Sequence, residues 1–317
     1  MRWGGKMNKL IDFEEKTNLV MKLLITSVSK GITNNKANYL NISMQDNTKS
    51  LDSKYWDVSD NQIELIKAGQ VYEIEFDILN YRGTLQGKIH KVIPLNQDTI
   101  ELKDFVKESS IPLDHLQAQI KSYINCINNH VIRSLIVEMF NVYHKDFFEY
   151  PAATKNHHNY LGGLATHTLS MLNLANAISS VYPILSKDLL YAGIILHDMG
   201  KIEELSGPFL AEYTNLGKLV GHISIIHARL CEKATKLNIH DTEEVMLLRH
   251  IVLAHHGKLE FGSPVLPLTI EAEIIQFIDN IDARVEAITK AFNDINCNEF
   301  TPRIFSLENR SFYKHSK

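Results

Sequence analysis

The chain's 317 residues leave room for about two domains; with 44 % apolar and 22 % charged residues it has the composition of a globular protein. No apolar run approaches the ~20 residues of a bilayer span, the opening MRWGGKMNKLIDFEEK lacks a signal-peptide core, and Cys126, Cys231 and Cys297 are too few and too far apart for a disulfide framework or a thiolate zinc site. A cytoplasmic protein without a membrane partner is expected, and the net charge of −4 argues against a broad basic face.

Residues 1–18 read as an N-terminal extension, and residues 19–95 as strands. LVMKLLITSVSKG, ANYLNISMQD, KYWDVS, QVYEIEFDILN and TLQGKIHKVIPL are rich in apolar, β-branched and aromatic residues and are separated by turn-formers. SDNQIELIKAG interrupts them as a short helix, with Ser59 or Asp60 as N-cap and Gly69 closing it. Five strands and one helix in this length predict an all-β barrel of the OB type. Tyr39, Trp56, Tyr72, Phe76 and Tyr81 are candidates for stacking on bases. Tyr81 beside Arg82 and Gly83 at a turn is the best placed, because ring and guanidinium would serve base and phosphate together. Residues 7–95 hold eleven Lys or Arg against eleven Asp or Glu, so the segment has no net attraction for a polyanion.

Residues 96–114, polar and bounded by Pro94 and Pro112, read as a linker. From 115 to 317 the apolar period becomes 3.6, and the second domain is expected to be all-α. Ten of the fifteen histidines fall between His157 and His256. His197-Asp198 closes the apolar helix YAGIILHD, where Gly200 is expected to break the helix so that both side chains can turn to one cation. Lys201 lies one turn beyond, within reach of a phosphate. His167, His222, His255-His256 and Asp279 each interrupt the apolar pattern of a different helix. Burial of such groups is costly unless they are paired or metal-bound, so convergence on one metal cavity is expected. His227 and His250 read as core residues, and Asp282, one turn after Asp279, as a group orienting a ligand histidine.

The order H…HD…H…H…D resembles the HD superfamily of metal-dependent phosphohydrolases. PAATKNHHNYLGGLATHTLSM, DLLYAGIILHDMGKIEEL, LRHIVLAHHGKLEFGSPVLPL and RIFSLENRSFYK, with the barrel strings LLITSVSKG and DILNYRGTLQGKI, are similar to the bacterial YhaM-type 3′–5′ exoribonuclease family over nearly the whole chain. The resemblance implies an OB-fold domain followed by an HD-domain helical bundle. It also implies a first metal on His167, His197, Asp198 and Asp279, and a second on Asp198, His222 and His255, with His256 as helper or replacement. Lys201 would act with Asp198 in catalysis, and His157 and His158 would contact substrate phosphate. The metal would be Mn²⁺, one or two ions, with Fe²⁺, Co²⁺ and Zn²⁺ compatible with the same ligands. The implied partner is single-stranded RNA, with single-stranded DNA as a second substrate, and a homo-oligomer is compatible with the family. Two other readings are an HD phosphohydrolase of nucleotides or cyclic dinucleotides, and a DNA-binding replication accessory protein.

Overall fold

The computed structural model describes residues 9–33, 35, 37–81, 83–153, 158–209 and 211–316. The chain divides into two compact units, one ending at Glu108 and the other beginning at Ser109.

The first unit is a closed five-stranded barrel. Its strands are β1 (Lys16–Ile32), β2 (Asn38–Gln45), β3 (Ser50–Trp56), β4 (Val71–Tyr81) and β5 (Thr84–Pro94), in the order β1-β2-β3-β5-β4. All pairs are antiparallel except β3 with β5, whose parallel pairing together with the pairing of β1 to β4 closes the barrel. β1 is long enough to pair with β4 along its first half and β2 along its second, and a bulge between Ile25 and Ser27 lets it turn. Alternation sends Leu40, Ile42, Met44, Ile74, Phe76 and Ile78 into the core. Tyr72 and Phe76 are core residues as well, which removes them from the stacking candidates. The barrel is an OB-like fold.

Between β3 and β4 lies α1 (Asp60–Leu65). Ser59 caps it in a capping box with Gln62. The helix ends at Leu65 rather than at Gly69, which instead takes a positive φ and donates its N–H to Ile25. The residues just ahead of β1 are part of the barrel rather than an extension: Leu10 is buried in the core, and its N–H donates to Asp46 Oδ2 at 2.7 Å. Residues expected within the linker are also anchored. Gln97 brackets Val71 through both backbone groups, at 3.0 and 2.8 Å.

The second unit is helical: α2 (Leu113–Asn125), α3 (His130–Glu149), α4 (Gly163–Val181), α5 (Lys187–His197), α6 (Lys201–Glu204), α7 (Asn215–Lys236), α8 (Glu243–Ala254) and α9 (Ile270–Phe292), followed by a two-residue ribbon of β6 (Glu299–Phe300) and β7 (Tyr313–Lys314). Every residue of α5 from Leu190 to His197 is buried, as its all-round apolar sequence requires. The His-Asp pair at its end therefore emerges in the interior of the bundle. Among the described residues no helix is long and apolar enough to cross a membrane.

Candidate metal centre

Asp198 is where α5 stops. Its φ of −106° and ψ of 0° leave the helix, and this turns its carboxylate to the same side as the His197 ring. Gly200 has ordinary helical angles and so is not the breaker expected from the sequence. Its role is steric: a Cβ there would collide with the His222 carbonyl oxygen. The glycine lets α7 come down onto the end of α5. α7 itself is broken at Gly221, with φ 74° and ψ 153°, a conformation that only glycine adopts readily. The break aims His222 inward. His255 and His256 follow the end of α8, His167 lies on α4, and Asp279 and Asp282 lie one turn apart on α9.

These residues meet around Asp198. Its Oδ2 lies 3.3 Å from His197 Nε2 and 3.8 Å from His167 Nε2, and its Oδ1 lies 3.5 Å from His222 Nε2 and 3.8 Å from His255 Nε2. His167 Nε2 is 3.3 Å from Asp279 Oδ1. Two adjoining sets of ligand atoms result, the atoms of each within 4.8 Å of one another: His167, His197 and Asp279 on one side, and Asp198, His222, His255 and His256 on the other. The two oxygens of Asp198 face different sets, as a bridging carboxylate requires.

The far side of each ring decides what its near side can do. His197 Nδ1 donates to the Ile194 carbonyl and His255 Nδ1 to the Val252 carbonyl, each at 2.7 Å. His256 Nδ1 donates to the Phe261 carbonyl at 2.7 Å, His222 Nδ1 to Glu204 Oε1 at 3.1 Å, and His167 Nδ1 to Asp282 Oδ2 at 2.7 Å. With Nδ1 protonated, a neutral imidazole presents a bare Nε2 lone pair, the form that binds a cation. His197 Nε2, His222 Nε2, His255 Nε2 and Asp198 Oδ1 are buried and have no hydrogen-bond partner among the described residues. Leaving a buried acceptor unsatisfied costs about 1–3 kcal/mol. Four such atoms gathered around Asp198 fit a centre that holds divalent cations.

The electrostatics agree. Burial, with His256 and His197 adding, holds the His255 imidazole well below its ordinary value and so keeps it neutral. Burial would raise the Asp198 carboxyl, but Lys201 at 2.6 Å and His197 outweigh it and hold it well below the usual range. Burial also opposes a charge on His167. Hydrogen bonds to Asp279 and Asp282 prevail, and in the absence of a cation its value is pushed up to about 10.

Other expected site residues lie elsewhere. His158 is buried, with Nε2 on Asp282 Oδ2 at 2.8 Å and Nδ1 on the Tyr160 hydroxyl at 2.7 Å. Both nitrogens are engaged within the protein, so it supports Asp282 rather than meeting a substrate phosphate. Asp282 is the hub expected of it, and it also accepts a hydrogen bond from Ser170. His157 and Arg82 lie outside the described residues, and Tyr81 is exposed at the end of β4. His250 Nε2 accepts from the Leu268 N–H at 2.9 Å, and His227 Nε2 accepts from Arg249 at 3.1 Å; both are structural.

The sequence reading did not single out Glu204. This buried carboxylate accepts from both the backbone N–H of His222, at 3.0 Å, and its Nδ1. Glu203 beside it faces Tyr143 and Arg229 instead. Two adjacent glutamates on one turn carry no sign of which is buried.

A helical unit with a His-Asp pair at the core of such a cluster defines a metal-dependent phosphohydrolase domain. Residues 164–284 match the HD domain family, a span that contains every candidate ligand from His167 to Asp279. HD domains bind divalent metals, and the chain carries within that span a His/Asp cluster able to hold them.

Proposed function

We propose that the protein is a 3′–5′ exoribonuclease that degrades single-stranded RNA, and single-stranded DNA as well, to nucleoside 5′-monophosphates. Bridging by Asp198 between two sets of imidazoles carries the reading, because in-line displacement at a phosphodiester benefits from cations on both the attacking and the leaving oxygen. His167, His197, Asp198 and Asp279 would hold one ion, and Asp198, His222, His255 and His256 the other. Manganese suits this mixed nitrogen and carboxylate set, as do Fe²⁺, Co²⁺ and Zn²⁺. Bound there, divalent cations supply Lewis acidity toward water and the scissile phosphate.

The protein's own groups do the positioning. Lys201 keeps Asp198 ionised and in place through its 2.6 Å contact, and its remaining ammonium protons can donate to a phosphate oxygen. The Nδ1 anchors lock each ring, so that little reorganisation is needed when substrate arrives. The OB-like barrel favours a polymer over a nucleotide, since a small substrate needs no surface to carry a strand.

The test is a 5′-labelled single strand incubated with Mn²⁺. A descending ladder ending in short 5′ products, abolished by chelation and by Asp198→Ala, is expected. Hydrolysis of nucleotides or cyclic dinucleotides without a ladder would replace the exonuclease by a small-molecule phosphohydrolase. Strand binding without any product would leave a DNA-binding accessory protein.

A further inference from the structure

One side of α9 is turned to the interior: Ala272, Ile275 and Ile278 lie in the core, and Asp279 and Asp282 face the metal centre. A second apolar row runs down a different side of the same helix. Phe277, Ile281 and Val285, about one turn apart, are 51 %, 46 % and 58 % exposed, and Ile270 at the first residue is 46 % exposed. Ile274, Ile288 and Phe292 fall on the same line and are half-buried. A surface helix ordinarily has one apolar face and a polar one opposite. A continuous row of large apolar side chains left exposed marks a surface for association.

The spacing of the row says what it fits. Its intervals are four, three, four, four, three and four residues, the same read from either end, with Ile281 at the centre. Two α9 helices laid antiparallel about a two-fold axis at Ile281 therefore match at every member. Ile281 meets its own copy, Phe277 meets Val285, Ile274 meets Ile288 and Ile270 meets Phe292. An isologous interface demands such self-complementarity, whereas an unrelated partner sets no condition of this kind. Steps of three and four are also those of a helix–helix seam. The charges along the row agree. Glu273 would stand beside Thr289 and Ala291 of the other copy, and Arg284, held by Glu308 at 2.8 and 2.9 Å, beside its Asn280. Glu286 and Lys290 lie round the other side of the helix, so the antiparallel arrangement opposes no like charges along the seam.

We propose that this side of α9 is a self-association surface, on which a second copy of the chain docks antiparallel with the two-fold axis at Ile281. The 23 residues of α9 make a seam about 35 Å long. The four half-exposed members bring on the order of 100 Å² each, and the three half-buried ones less. Two copies would therefore bury about 1,000 Å², where specific interfaces begin. An interface of that size is a weak one, with a dissociation constant on the order of micromolar. Association here is independent of what the metal centre hydrolyses.

The experiment is sedimentation equilibrium of the full chain from about 0.1 to 100 µM, a range that spans the expected constant. The mass should rise from 36.2 kDa toward twice that value. Ile281→Arg sets two like charges on the axis and should weaken association by about 100-fold or more. Its urea midpoint should stay near that of the wild type, because residue 281 is half exposed in a single chain. Phe277→Glu and Val285→Lys should each weaken pairing, and the two together should restore most of it, because residue 277 of one copy faces residue 285 of the other. Within one helix these positions are about 12 Å apart, too far to compensate each other in a single chain. A chain that stays at 36.2 kDa over the whole range would overturn the proposal, and so would an assembly whose mass Ile281→Arg leaves unchanged. Failure of the Phe277→Glu, Val285→Lys pair to restore what either substitution removes would overturn the antiparallel register.

Discussion

Glu204→Gln separates the two halves of the metal centre. The substitution keeps the volume of a buried side chain that packs under Gly217, and Thr214 N–H still has the backbone carbonyl of residue 204 at 2.9 Å. What it removes is the charge that accepts His222 Nδ1–H at 3.1 Å, together with the certainty that an oxygen faces both donors. A hydrogen bond to a charged group is worth about 1.5–3 kcal/mol, and loss of a group orienting a ligand histidine weakens metal binding by about 10–100-fold, or roughly 1.4–2.8 kcal/mol. The two figures agree. His222 depends on Glu204 because the break at Gly221 removes the helical restraint just before it, whereas His197 and His255 are held by carbonyls of their own helices. Calorimetric titration of metal-free protein with Mn²⁺ should therefore show one equivalent weakened by about 10–100-fold and the other unchanged. In a His222→Ala background the Glu204 substitution should add almost nothing, since the two act as one unit. Equal weakening of both equivalents, or full additivity, would refute the assignment of Glu204 to His222 alone.

Asp282→Asn should do the converse. It loosens His167, His158 and Ser170 together, so the equivalent held by His167, His197 and Asp279 should weaken by about 10–100-fold in the same titration. Gly200→Ala should lower stability by about 1–3 kcal/mol through overpacking against the His222 carbonyl, seen as a lower urea midpoint with unchanged slope. Arg229→Gln should reduce stability by about 1 kcal/mol near neutral pH, where Arg229 and Tyr143 hold Glu203 below its ordinary value. A depressed carboxyl contributes above its unfolded value and loses that contribution as pH falls through the folded one. The wild-type advantage, followed by urea unfolding, should therefore persist at pH 5 and above and shrink toward pH 3.

The elements were legible from local patterns. Alternation marked the strands, and the 3.6 period and caps such as Ser59 marked the helices, because each is set by a few neighbouring residues. The candidate ligands were legible for a related reason: a histidine or aspartate inside an apolar helical face has few stable alternatives to pairing or metal. Where a local signal was followed too far, the structure differs. Gly69 and Gly200 read as helix breakers, yet one lies beyond a helix that had already ended and the other serves a close approach between chain segments far apart in sequence.

Local spacing settled that a His-Asp pair would end a buried helix, that other helices would bring polar groups to meet it, and that a small barrel would precede them. It could not settle which supporting groups hold the rings. Glu204 rather than Glu203 carries His222, and Asp282 rather than solvent takes up His158, because those choices depend on how α6, α7, α4 and α9 pack. The pairing of Tyr39 with Trp56 was equally out of reach. It follows from the register between two strands and from a glycine on a third, and register is a property of the assembled sheet rather than of any one strand.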